Sequence, residues 1–87
     1  MYEIKFNPNL DCCGGDEVNE KLDMFNYSNR KLLNQEIKPN YNEKAYEDWL
    51  VCATEEKLLG KLLTEICKSF EINDIIVKNL NPTKYEM

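Results

Sequence analysis

The chain has 87 residues and an acidic balance, with sixteen Asp and Glu against eleven Lys and Arg and a net charge of −5. A chain of this length is expected to form one domain, residues 1–87, because a second core would not fit. The acidity argues against direct binding of a nucleic-acid backbone, since neutralising phosphates requires clustered positive charge. No apolar run approaches the roughly 20 residues of a membrane span, so no membrane contact is expected.

The compartment is predicted from the first ten residues and the cysteines. The start of the chain has neither the basic region nor the apolar region of a secretory signal. Four cysteines in a chain without such a signal are typical of reduced thiols. A cytoplasmic protein is therefore expected.

The first part of the chain predicts a strand followed by a helix. Residues 2–6 alternate apolar and charged side chains, the pattern of a half-buried strand. Pro8 should end that strand, because proline cannot donate a ladder hydrogen bond. After a loop with two glycines, Asp16 is expected to cap a helix whose apolar side consists of Val18, Leu22 and Phe25.

Residues 21–38 allow two interpretations. In the first, the helix that follows Asp16 ends and Ser28 caps a further short helical turn, before Pro39 forces a boundary. In the second, the whole segment is a hairpin that turns at Ser28 and Asn29. One arm of this hairpin would contain Leu22, Met24, Phe25 and Tyr27, and the other Leu32, Leu33 and Ile37. The apolar alternation is imperfect on both arms, so the hairpin is the alternative.

Two helices are predicted in the second half of the chain. Residues 43–53, after an Asn42 cap, place Ala45, Tyr46, Trp49, Leu50 and Ala53 on one face. The opposite face of this predicted helix carries Glu43, Lys44, Glu47 and Asp48. Residues 54–72 show the strongest helical period, with Thr54 as the cap. The apolar positions of this second segment are Leu58, Leu59, Leu62, Leu63, Ile66 and Phe70. The two apolar stripes differ in phase by about 120°, so we expect a break near residues 53–54.

The last predicted element is a strand over residues 75–80, which are rich in β-branched side chains and precede Pro82. Together these elements predict a small, helix-rich α+β domain. In it, a long core helix of residues 54–72 packs on a small sheet that includes strands 2–6 and 75–80.

Residues 11–16 form a cysteine-bearing loop, with Cys12 and Cys13 adjacent. A helix N-terminus lowers a thiol pKa, but the neighbouring acids disfavour a thiolate, and no Cys-x-x-Cys pair is present. A thiol or metal module is therefore an alternative hypothesis, with Cys12, Cys13, Cys52 and Cys67 as zinc ligands. Their spacing does not match that of structural zinc sites, and Cys52 and Cys67 are expected on or beside apolar helix faces.

Catalysis has little support in the sequence. The chain has no histidine, which removes the commonest general base and metal ligand, and Gly14-Gly15 alone does not make a phosphate-binding loop. The acidic pairs Glu43/Glu47 and Glu55/Glu56 lie on predicted helices, where a solvated face explains them. We predict a non-enzymatic protein with no catalytic residues, no cofactor and no metal.

Charge is the more informative signal. Residues 1–26 carry six acids against two lysines, and residues 43–56 carry five acids against one lysine. Each segment has a net charge of −4, so together they exceed the charge of the whole chain. If folding brings them together they form one negative surface, and ordinary solvation is the alternative. The predicted partner-binding residues are Asp16, Glu17, Glu20, Asp23, Glu43, Glu47, Asp48, Glu55 and Glu56.

In size, acidity and absence of motifs, the chain resembles small acidic proteins of phages and mobile elements, many of which bind a host enzyme. Some of these are anti-CRISPR proteins that occupy nucleic-acid channels. The resemblance implies an inhibitor-type nucleic-acid mimic in the host cytoplasm, with a basic protein as partner, such as a nucleic-acid-binding enzyme. A further alternative is a self-associating module, a homodimer that covers Trp49 and Tyr46 with a second copy.

Overall fold

The computed structural model describes residues 1–9, 15–40, 43–46 and 48–80. Short 3₁₀ turns occupy Lys44–Tyr46 and Glu56–Leu58. The main elements, in chain order, are β1 (Tyr2–Pro8), α1 (Gly15–Ser28), β2 (Gln35–Pro39), β3 (Leu50–Thr54), α2 (Leu59–Ser69) and β4 (Ile72–Asn79).

The four strands form one antiparallel sheet in the spatial order β2-β3-β1-β4. Each helix connects two strands that are not neighbours: α1 links β1 to β2, and α2 links β3 to β4. This order of elements and strands is that of the ferredoxin-like, or split β-α-β, arrangement. β2 and β4 are therefore the two edges of the sheet.

The core lies between one face of the sheet and the two helices. Ile4 pairs with Cys52 and Val77, so these three side chains share the face that the helices cover. The Phe70 ring lies 5.4 Å from that of Phe6, between centroids, and joins β1 to the end of α2. The buried apolar cluster consists of Ile4, Phe6, Leu22, Phe25, Ile37, Leu50, Cys52, Leu62, Ile66 and Phe70.

The α+β class is confirmed, but the helix-rich fold around a long core helix is wrong. The segment 54–72 is divided between the end of β3, a 3₁₀ turn, the 11-residue α2 and the start of β4. Thr54 does not cap a helix; it is fully buried at the end of β3, and its hydroxyl donates to the Leu32 carbonyl at 2.6 Å. The chain does break after Thr54, but between a strand and a helix.

The predicted helix over residues 43–53 is also wrong, because the described residues of this segment include the 3₁₀ turn Lys44–Tyr46 and then β3. β3 is paired on both sides, with β1 and with β2. Its side chains are buried on both faces, including Cys52 and Ala53 at 1% exposure each. A strand enclosed in this way has a nearly continuous apolar run, which helical spacing also accommodates.

The bounds of the two predicted strands need correction. β1 extends beyond residues 2–6 to include Pro8, which pairs with Ile72 across a register shift where a missing N–H is tolerated. β4 begins at Ile72 and ends at Asn79, instead of spanning residues 75–80.

The helix predicted near Asp16 is present as α1, with Asp16 inside its first turn. The hairpin over residues 21–38 is wrong, because the chain is helical to Ser28 and reaches β2 at Gln35. One short turn follows Ser28, in which the N–H groups of Leu32 and Leu33 donate to the Asn29 carbonyl at 2.8 and 3.2 Å.

Candidate partner-binding surface

The outward side of α1 carries the first cluster of acids. Leu22 and Phe25 are buried on the opposite side of the helix, at 6% and 5% exposure. The Lys21 ammonium lies 5.0 Å from the centroid of the Phe70 ring. No ion pair joins the acids to any residue in the described part of the chain. The exposed acids of this helix are Asp16, Glu17, Glu20 and Asp23.

The same helix carries two large exposed side chains, Met24 at 65% and Tyr27 at 69%. The Arg30 guanidinium lies 4.6 Å from the centroid of the Tyr27 ring and also donates to the Tyr27 carbonyl at 2.7 Å. A groove between α1 and α2 borders this surface and is lined in part by Glu20, Met24 and Glu65. We define the α1 face as Asp16, Glu17, Glu20, Asp23, Met24 and Tyr27.

Sequence reasoning missed Met24 and Tyr27 as surface residues, although a signal was present. At about 100° per residue, both point away from the side of the helix that carries Leu22 and Phe25. The hairpin alternative obscured this, because it placed Met24 and Tyr27 in the same apolar arm as Leu22.

The second acidic segment is not a helical row, so the predicted arrangement of Glu43, Glu47 and Asp48 on one helix face is wrong. Glu43 forms an ion pair with Lys5, whose ammonium also lies 3.5 Å from the Glu3 carboxylate. The hydrogen bond from Lys5 to Glu43 raises the pKa of the lysine, against the lowering effect of its burial. Lys5 alternates with Ile4 along β1, so Glu43 is held on the sheet face away from the helices.

Asp48 is exposed next to Trp49, and Glu47 lies outside the described residues. Glu55 and Glu56 follow β3, at the end of the sheet where β1 begins. There the Tyr2 hydroxyl donates to Glu56 at 3.4 Å. α1 starts from the opposite end of β1. The structure thus divides the predicted acidic residues among separate places and leaves the α1 face as the densest described group.

The cysteines differ in environment. Burial raises the pKa of the Cys52 thiol to about 12, and the charge of Glu3 adds to the effect. Such a thiol is inert, because the thiolate is the nucleophile. Cys67 is exposed on α2, next to buried Ile66, whereas Cys52 lies in β3 and not on or beside a helix face as expected. Cys12 and Cys13 lie outside the described residues. Among the described residues, no group of three or more His, Cys, Asp or Glu is placed to hold a metal ion.

No family model, curated protein or solved structure matches this chain. None of the described helices is long and apolar enough to cross a membrane. The ferredoxin-like arrangement carries many unrelated activities, so the fold alone does not assign one. The exposed surfaces are therefore the features of this chain that bear on its function.

Proposed function

We propose that this protein is a non-enzymatic interaction module that binds a basic surface of another protein through the α1 face. The observation that carries the proposal is the combination of four exposed carboxylates with exposed Met24 and Tyr27 on a single helix. Acidic residues alone are ordinary on a solvated helix. Methionine and tyrosine beside them supply the kind of contact area that is enriched at interfaces.

The spacing of the acids suits a row of lysines or arginines. Asp16 and Asp23 are seven residues apart, which is about 10 Å along a helix axis. Basic side chains that bind successive phosphates of a nucleic acid can pair with carboxylates arranged in this way. The partner class is therefore a nucleic-acid-binding protein, such as an enzyme, and this chain acts as a competitor that mimics the nucleic acid.

The α1 face is held in place before it binds. Leu22 and Phe25 are buried in the core, and the buried Asn26 side chain forms two hydrogen bonds with the backbone of Ile37 in β2. A preorganised surface loses less conformational freedom on binding than a mobile one. The carboxylates can therefore act as a fixed pattern.

The test begins with a partner captured by the wild-type protein from a candidate host extract. The affinity of that partner is then measured for wild type and for the double variant Glu20→Lys/Asp23→Lys, at about 50 and 500 mM salt. We expect the double variant to bind at least roughly tenfold more weakly, with the wild-type affinity falling as salt rises. Tyr27→Ala should weaken binding at both salt concentrations, because its contribution is not Coulombic.

The matched control is Glu55→Lys/Glu56→Lys, which changes the net charge by the same amount at a site away from α1. This control should bind nearly as well as wild type. Equal losses in the two double variants would mean that overall charge, and not the α1 face, drives binding. An affinity that neither the variants nor salt alter would refute the proposal.

A further inference from the structure

β4 is an edge strand with an apolar surface. In the described part of the chain no strand lies on its outer side. Ile76 and Val77 are 38% and 40% exposed, and they lie on opposite faces because they are consecutive in the strand. A long edge strand with exposed apolar side chains is a template for pairing with another strand.

The hydrogen bond at the end of β4 shows which of its backbone groups point outward. The Leu80 N–H donates to the Met1 carbonyl at 2.9 Å, in the same register that pairs Tyr2 with Asn79. Since inward and outward residues alternate, the backbone groups of Ile75 and Val77 point away from β1. The Ile75 N–H accordingly donates to the Asp74 carboxylate at 2.8 Å and not to β1.

We infer that the β4 edge binds the β4 edge of a second copy of this chain, antiparallel, about a two-fold axis at Ile76. This register places Ile76 opposite Ile76, Ile75 opposite Val77, and Asp74 opposite Lys78 of the second copy. The axis is perpendicular to the sheet, so opposed residues lie on the same face. Two apolar pairs form on the helix side, and one apolar pair between two opposite-charge pairs forms on the other side.

The charges select this register over its neighbours. An axis at Ile75 places Asp74 opposite Ile76, and an axis at Val77 places Asp74 opposite Leu80. An axis at Asp74 or Lys78 places like charges directly against each other. Opposite charges across antiparallel strands stabilise pairing, and like charges destabilise it. Of these axes, only the one at Ile76 places both Asp74 and Lys78 opposite a residue of the other sign.

The existing contacts are compatible with this pairing. On the same face of the sheet, Lys78 already lies beside Glu3 of β1, so Glu3, Lys78 and Asp74 of the second copy alternate in sign. The Ile75 N–H would donate to the Val77 carbonyl of the second copy, which releases the Asp74 carboxylate for Lys78. The product is one continuous sheet of two four-stranded halves.

α1 packs beside β2 at the far edge, so the α1 face stays outside this interface.

The pairing is tested by sedimentation of the full-length wild type and of the single variants Asp74→Lys and Lys78→Asp, up to about 1 mM protein. Wild type should form a concentration-dependent dimer. Each variant alone should raise the dimer Kd roughly tenfold or more, because both charge pairs become repulsive. An equimolar mixture of the two variants should recover dimerisation, since every opposed pair is again of opposite sign. Lys61→Asp, an exposed charge reversal on α2, should behave as wild type.

Hydrogen exchange supplies a second readout. The amides of Ile75 and Val77 should exchange more slowly as the wild-type concentration rises, while the amide of Ile37 in β2 does not change. A chain that stays monomeric throughout the range would overturn the inference. So would a dimer that tolerates both charge reversals, or a mixture of the variants that does not associate. None of these outcomes depends on the partner of the α1 face.

Discussion

The two edges of the sheet are built in opposite ways. β2 has five residues and a register shift between Gln35 and Lys38. The side-chain amide of Asn26 donates to the Ile37 carbonyl at 3.0 Å, and its oxygen accepts from the Ile37 N–H at 2.8 Å. Both backbone groups of Ile37 are thereby occupied by a residue of α1. A strand from another molecule would have to displace that helix to pair there.

β4 has eight residues, and its pairing with β1 is regular from Asp74 to Asn79. Its middle carries exposed apolar side chains, and Asp74 and Lys78 flank them symmetrically. The buried side-chain amide of Asn26 thus closes the β2 edge. The β4 edge is open and carries a charge pattern that is complementary to a second copy of itself. Closed and open edges should therefore respond differently to mutation.

The largest loss of stability is expected from truncating a side chain in the hydrophobic core. Leu62 is fully buried on α2, so Leu62→Ala should lower the free energy of unfolding by about 2–5 kcal/mol in a urea titration. Lys61→Ala, one residue away and exposed, should stay within about 0.5 kcal/mol. Similar effects of the two substitutions would contradict the orientation of α2.

The backbone of β2, the closed edge, should become accessible to solvent when the Asn26 side chain is truncated. Asn26→Ala leaves the N–H and carbonyl of Ile37 without their partners, which should cost about 1–3 kcal/mol. Hydrogen exchange at the Ile37 amide should become faster in this variant. The control is Asn19→Ala, on the exposed side of the same helix, with an effect within about 0.5 kcal/mol. If Asn26→Ala leaves both stability and exchange unchanged, the amide does not close this edge.

β3, one of the two strands between the edges, should show an effect that is confined to high pH. The pKa of Cys52 is raised from 9.0 to about 12 in the folded protein. The unfolded chain therefore loses this proton first, so the free energy of unfolding falls as pH rises from about 9 to about 12. The slope approaches about 1.4 kcal/mol per pH unit.

Cys52→Ala should flatten the pH curve in that range relative to wild type. Lysines and tyrosines also titrate there, but they are common to both proteins and cancel in the difference. Cys67→Ala, at an exposed position of α2, should run parallel to wild type. A Cys52→Ala curve that also runs parallel to wild type would exclude burial of a neutral thiol.

The elements with one buried side could be predicted from the periodicity of their apolar residues. α1 was predicted from Asp16, and its acids are on the outward side because Leu22 and Phe25 must face the core. The alternation of residues 2–6 and the β-branched residues near Ile75 located the two strands, although not their ends. For the proposed surface, the four acids of α1 were found, and Met24 and Tyr27 were not.

The conformation of residues 50–54 could not be predicted from their own pattern, because it depends on pairing with distant strands. Leu50 and Ala53 fit a helix face as well as a central strand, and pairing with β1 and β2 decides between them. Whether each edge of the sheet is closed or open likewise depends on contacts between residues far apart in the chain. Asn26 reaches Ile37 only once α1 has packed on the sheet, and β4 is an edge only because of the strand order. Periodicity records that a side chain is buried, but the neighbour that buries it is set by contacts between residues far apart in the chain.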